Sequence, residues 1–495
     1  MKDNRYVLFF SHAPQIKWFA YIARTLRINF GLQSVLWVIG EQDRNLGEAT
    51  GEFFRVVDII QEESDFARFR NTESATNYLA AYEEDVGCNC TNRDIAMDRY
   101  LSRARWTIDK TLVYAAGILW RMRSELATRG QPMFAIGEEN CLQYRMARRI
   151  VTSPYVCLYM TGHFSDRFYV EYGMYYQWGR CQERYISFLE NGVPDDILIK
   201  AEAKLNEIVN KKRSPEATER YIESGKGSLS HRVSITRLVD SLRRTMNVLF
   251  SHRESWNPKS LPISSNNVFL SLFDLLAQAL VKRQLEKMVL KQIPQDRKYA
   301  GFFLHVQPEH TVEGVAFEYR DQAATARNIA AALPAGMLLL VKDHVAMAGN
   351  RPIAFYNELS NCANIKLLDH NVSPYDVVCN STVMFTLSGS VALECMYVGK
   401  PAIVLGRIYH TAFRGIYPAG DIRDLAELVG EVLNGNCPAA TRNEAIVALA
   451  AMYAASYPGR ISSQFRTDEM SSEANLKCIE VALRREIPGL GSQNS

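Results

Sequence analysis

Three apolar runs in this chain end on residues that could do chemistry. FFLHVQPEHT carries His305, Gln307 and Glu309; MLLLVKDH ends on Lys342, Asp343 and His344; FTLSGS ends on Ser388, Gly389 and Ser390. Polar, phosphate-compatible side chains at the ends of successive apolar strands are delivered to one edge of a parallel sheet, which is how half of a nucleotide-binding site is built. Gly389 lets backbone come close to a phosphate, and the hydroxyls of Ser388 and Ser390 can cap a helix or donate to a ligand. Free N–H groups at a strand-to-helix turn favour an anion. Lys342 can neutralise phosphate as a point charge, and His344 can donate to phosphate or to a leaving-group oxygen. Glu394, one helical turn beyond Ser390, can accept from ribose hydroxyls. Each piece also has an ordinary explanation: a helix cap, a surface loop, a solvated helix carboxylate, or, for His305 between Leu304 and Val306, a packed imidazole. Convergence of three strand ends favours the site.

A second set lies in the N-terminal half. Glu138 and Glu139 follow the strand MFAIG, a position suited to a general base or an acceptor-binding carboxylate, although acids there also suit the helix dipole alone. Arg167, in SDRFYVE, can grip an anionic group, and His12 follows the first strand at the comparable edge. The chain has no GxxxxGK[ST], HExxH, GxSxG or DxD pattern, which argues against a P-loop, a zincin, an α/β-hydrolase and a DxD-type metal-dependent fold. Neither a metal nor a cofactor is expected.

The elements that must position these groups alternate. YVLFF, a helical pattern over 16–30 and SVLWVIG open the chain, and MFAIG, a helix over 141–150 and YVCLYM follow a long helical stretch over 99–128. Strand, helix and strand recur cleanly after Tyr299, with helices over 322–333, 353–360 and 390–398 closed by Pro334, Gly399 and Pro401. Such alternation predicts parallel sheets covered by helices, in right-handed βαβ units. The expected organisation is an α/β chain with an N-terminal Rossmann-like domain over 1–194, a mostly helical connector over 195–298, a C-terminal Rossmann-like domain over 299–420 and a helical tail over 421–495.

Bulk properties agree. At 495 residues the chain exceeds one ordinary core, and 47% hydrophobic with 22% charged residues is the composition of a packed protein. A net charge of +3, with basic residues scattered, excludes a dedicated nucleic-acid binder. The ten cysteines are dispersed, and the lone CNC at Cys88 and Cys90 lacks the second ligand pair of a zinc site, so a reducing compartment is expected. No signal-like apolar core precedes Ser11, and the runs over 268–281 and 329–341 are interrupted by Asp274 and Pro334. A cytoplasmic protein, at most peripheral to the inner membrane, is predicted.

Over residues 300–410 the chain resembles the bacterial capsule and surface polysaccharide biosynthesis glycosyltransferases of the Kdo-transferase-like type. The resemblance is carried by His305 with Gln307, Pro308 and Glu309, by Asp321 and Gln322, by Lys342 with His344, by Tyr356, and by Thr386, Ser388, Gly389, Glu394, Gly399, Lys400, Pro401 and Gly406. Val345 stands where that family's basic motif has proline. In the N-terminal half the resemblance is looser, through GEEN at Gly137 and through Arg167. It implies a GT-B architecture, two Rossmann-like domains facing across a cleft, with the sugar nucleotide held by the C-terminal domain and a glycan or glycolipid acceptor by the N-terminal one. The expected reaction is transfer of a sugar, a nonulosonic acid such as Kdo from a CMP-sugar, onto a bacterial surface glycan. A UDP-sugar transferase, a UDP-sugar 2-epimerase and a non-catalytic subunit of polysaccharide assembly or export are the alternatives.

Overall fold

The computed structural model describes residues 5–11, 15–59, 68–69, 71–98, 101, 106–137, 141–160, 162–164, 166–172, 179–211, 280–345, 347, 350–461 and 467–490. Their strands are β1 (Tyr6–Phe10), β2 (Gln33–Val38), β3 (Arg55–Asp58), β4 (Phe134–Ile136), β5 (Tyr155–Met160), β6 (Arg167–Tyr172), β7 (Tyr299–Phe303), β8 (Leu338–Lys342), β9 (Ile365–Leu368), β10 (Val383–Thr386), β11 (Ala402–Val404), β12 (Ile416–Pro418) and β13 (Tyr457–Pro458). They form two sheets, each in its own compact unit.

The first unit holds the order β13-β6-β5-β4-β1-β2-β3. All five residues of β1 are buried, because helices cover both faces of a parallel strand and leave no side for polar residues. Helix α1 (Ile16–Phe30) supplies one cover: Ile16, Phe19, Ile22, Ala23 and Leu26 are buried at helical spacing, and Gly31 ends the helix in the left-handed region at φ 65°. The Phe19 ring meets Phe9 at 5.4 Å between centroids.

The second unit holds β12-β11-β10-β7-β8-β9, every neighbouring pair parallel. The chain runs outward from β7 to β8 and β9, then returns to build β10, β11 and β12 on the other side. The switch point, where ligands of doubly wound sheets bind, is therefore the carboxyl end of β7 and β10. Gly301 of β7 leaves room for the side chain of its partner Met384 on β10; a Cβ there would collide with the Met384 thioether. Helix α2 (Gln322–Ala332) starts where the Asp321 carboxylate accepts from the Ala324 N–H at 3.0 Å. Helices α3 (Ile353–Ser360) and α4 (Val391–Tyr397) fall where the sequence places them. The chain is thus α/β with two Rossmann-like units, the components of a GT-B fold.

Several expectations need correction. The first sheet is not wholly parallel: β6 runs antiparallel to β5, and β13 antiparallel to β6. Arg167 is the first residue of that antiparallel β6. The unit border falls between 172 and 179 and again at Ala455, not at 194 and 420. The tail is not only helical, since β13 joins the first sheet, and Ile479 and Leu483 of helix Glu473–Glu486 enter the same apolar core as Phe19. Burial of that helix's apolar stripe draws the end of the chain back to the first unit. Of the expected connector, 195–211 is helical and packs on helix Arg442–Ala454, while 212–279 lies outside the described residues. Among the described residues no helix is long and apolar enough to cross a membrane.

Candidate functional site

The carboxyl edge of the second sheet gathers most of the predicted residues. His305 stands two residues beyond β7, and its Nε2 lies 3.1 Å from the Thr386 hydroxyl at the end of β10, directly across the switch point. Its backbone is clamped by Gln322 from the first turn of α2: His305 N–H donates to Oε1 at 2.7 Å and Gln322 Nε2 donates to the His305 carbonyl at 3.2 Å. The same amide reaches Gln307 Oε1 at 2.7 Å, and Gln307 Nε2 donates to the Arg320 carbonyl at 2.7 Å. Gln307 thus shapes the loop. The Glu309 carboxylate accepts from the Thr311 hydroxyl at 2.9 Å, and the Thr311 carbonyl accepts from Ser388 Oγ at 2.8 Å, so the loop after β7 is pinned to the turn after β10.

The turn at 388–390 departs from the expected helix cap. Ser388 is buried and bonded to Thr311, and Ser390, the residue before α4, makes no capping bond. Its hydroxyl lies 3.3 Å from Glu394 Oε1 instead. The Gly389 N–H donates to Thr386 Oγ1 at 3.0 Å, and a Cβ on Gly389 would come within 3.2 Å of the His305 ring. The same Cβ would stand 2.8 Å from Thr386 Oγ1, so a side chain there would crowd both partners.

Lys342 is not an open charge. Its side chain is buried, and Nζ donates to the Asp369 and His370 carbonyls at 3.1 and 2.7 Å, which ties the end of β8 to the loop after β9. Burial pulls its pKa down to about 8, against the pull of Asp369 and Asp343. The cation at this edge that sequence reasoning overlooked is Arg351. Its Nε bonds both Asp343 oxygens at 3.2 and 3.3 Å, Nη1 bonds Gln307 Oε1 at 3.2 Å, and Nη2 donates to the His305 carbonyl. Tyr356 completes the group by donating to Asp343 Oδ2 at 2.6 Å. Nothing in the stretch around Arg351 marks it in sequence, because its partners come from two loops distant from each other in the chain, those after β7 and β8.

Burial also sets the imidazoles. It pushes His305 down to about 4, helped by His344 and Arg351, and it lowers His344, with Asp343 opposing. Both are neutral at neutral pH, so they can donate or accept without adding charge. Glu394 goes the other way: burial lifts its carboxyl to about 7 while the Ser390 hydroxyl holds it back. A carboxyl in that range suits proton transfer.

Beside this cluster lies a cavity of about 680 Å³, lined among others by Val315, Tyr319, Gly406, Arg407, Tyr409 and Gly420. It opens at the carboxyl ends of β11 and β12. Gly406 joins it to the cluster, for its N–H donates to the Leu387 carbonyl at 2.6 Å. Arg407 is exposed, and among the described residues its guanidinium makes no hydrogen bond or ion pair. It too was missed, although it follows a buried strand and a glycine.

Of the predicted residues of the first unit, Arg167 is among the described ones. Arg167 bonds the Ser456 hydroxyl through Nε at 2.8 Å and the Ser456 carbonyl through Nη2, holding β13 to the sheet. His12, Glu138 and Glu139 lie outside the described residues.

No protein-family model matches the chain, and no curated protein does. Among solved structures it is similar to two from Thermosulfurimonas dismutans. One is KpsC beta Kdo 2,7 transferase, at 10% identity over 72% of this chain and 89% of that one, with a TM-score of 0.34. The other is KpsC beta Kdo 2,4 transferase, at 12% identity over 64% and 79%, with a TM-score of 0.31. It is also similar to UDP-GlcNAc 2-epimerase from Neisseria meningitidis, at 10% identity over 91% and 100%, with a TM-score of 0.23. Likenesses this distant carry no argument about substrate.

Proposed function

We propose that the second unit holds a nucleotide sugar and that the protein is a glycosyltransferase, moving a nonulosonic acid such as Kdo from a CMP-sugar to a bacterial surface glycan. The supporting observation is the cavity of about 680 Å³ at the carboxyl edge of β11 and β12, which has the volume of a small-ligand site and whose wall residue Gly406 is bonded to Leu387, next to Ser388. In this reading the nucleoside occupies the cavity. Arg407 meets the phosphate, and the neutral imidazoles of His305 and His344 face the transferred group. Lys342 and Arg351 hold the two loops apart from it. With Lys342 and Arg351 already bonded within the protein, Arg407 is the cation left for the ligand among the described residues lining the cavity, which suits the single phosphate of a CMP-sugar better than a diphosphate. No metal or cofactor takes part in this proposal. The acceptor is a glycan or glycolipid, met at the inner membrane surface, and Glu138 or Glu139 serves it as base or anchor.

Thermal unfolding with CMP, UDP and NAD tests the reading, because a ligand that binds only the folded state raises its stability by mass action. CMP is expected to give the largest shift. A larger shift with UDP-sugars would replace the CMP donor by a UDP donor, and sugar turnover by NMR without any acceptor would identify an epimerase.

A further inference from the structure

We infer that Thr386 is a positioning residue that fixes His305 as the Nδ1–H tautomer, so that a neutral imidazole offers an N–H donor to the ligand of this site. The inference rests on the nucleotide-sugar reading for the nature of that ligand, but the tautomer itself does not.

Thr386 is buried, and its hydroxyl has two neighbours: the Gly389 N–H at 3.0 Å and His305 Nε2 at 3.1 Å. The amide can only donate, so it uses Thr386 Oγ1 as an acceptor. The hydroxyl proton then has one acceptor among the described residues, the His305 Nε2 lone pair. Were Nε2 protonated instead, Oγ1 would accept twice and its buried proton would have no partner, which buried polar groups avoid. Nε2 is therefore the acceptor and the ring proton sits on Nδ1. Nδ1 bonds no described residue, and it is not among the fully buried polar atoms without a partner, so it keeps some exposure at this sheet edge. The clamp of Gln322 and Arg351 on the His305 backbone holds the ring in place. Gly389 leaves it room. A neutral Nδ1–H donor fits an anionic oxygen of the ligand, a phosphate or sugar carboxylate oxygen, without the burial cost of another charge.

The test is a long-range nitrogen–proton correlation spectrum of the full chain labelled with ¹⁵N-histidine at neutral pH, with His305→Gln to assign the signal. The native protein and Thr386→Ser are expected to show His305 protonated on Nδ1, and Thr386→Val to move the proton to Nε2. In parallel, Thr386→Val should weaken nucleotide binding roughly tenfold, as loss of one oriented donor would, and Thr386→Ser should restore it. An Nε2-protonated His305 in the native protein overturns the inference, and that spectrum decides even if the valine variant does not fold. A folded Thr386→Val protein with an unmoved tautomer overturns it as well. If no nucleotide binds while the Nδ1–H signal stands, the tautomer is upheld and the nucleotide-sugar reading is what fails.

Discussion

Arg351 and Asp343 form a closed ion pair, Nε to carboxylate at 3.2 Å, with side chains 5% and 9% exposed. The pair joins the loop after β8 to the loop after β7, because the same guanidinium also holds the His305 carbonyl and Gln307. A buried pair is weak evidence of stabilisation in itself, but removing one partner leaves the other charge without compensation.

Arg351→Ala is therefore expected to lower stability by about 3–5 kcal/mol, read as the urea unfolding midpoint. Arg351→Lys should recover little of it, since an ammonium cannot bond Asp343, Gln307 and His305 in one plane. A midpoint near that of the native protein in Arg351→Ala would show that the loops are held by other contacts.

Arg407→Ala should do the opposite. The side chain is exposed and makes no bond to the described residues, so unfolding is expected to stay unchanged. Nucleotide affinity should fall by roughly 1.5–3 kcal/mol, the worth of a hydrogen bond to a charged group, measured by calorimetric titration. Unaltered affinity would place the phosphate elsewhere.

Gly406→Ala probes the wall between cavity and cluster. A Cβ there would stand 2.6 Å from the Leu387 carbonyl and 3.0 Å from Ala316, so backbone must shift. An overpacking cost of about 1–3 kcal/mol is expected, together with weaker nucleotide binding as the turn at 388–390 moves. Full binding with full stability would mean the turn has slack.

The pH dependence should split by residue. Glu394 has a carboxyl lifted from 4.5 to about 7, so its stabilising contribution is whole below pH 4.5 and is lost as pH rises through 7; Glu394→Gln should gain on the native protein across that window. His305 is lowered from 6.5 to about 4, so its contribution is whole above pH 6.5 and is lost as pH falls through 4. His305→Gln should flatten the acid side. Denaturation midpoints across both windows check the signs, and identical profiles for all three proteins would refute both.

How much of this was legible beforehand depends on how local the cause is. Strands such as LLLVK of β8 and the helix over 353–360 are fixed by continuous apolar runs and by flanking breakers, information carried within a few residues. The parallel second sheet and the gathering of His305, His344, Ser388 and Glu394 at one edge follow from that alternation alone. The short β3 and β12 gave no comparable signal, and the antiparallel β6 and β13 depend on pairing partners distant in the chain, Tyr457 with Phe168. The roles of the cations were equally remote. Lys342 reads as a phosphate ligand until the fold turns it onto two carbonyls of another loop, and Arg351 reads as nothing until Asp343, Gln307 and His305 surround it. Sequence alone determined which residue types stand at the strand ends, because hydrophobic periodicity is local. Tertiary structure alone decided which of them are buried and bonded within the protein and which stay exposed, because burial and partner choice are settled only when separate strands meet.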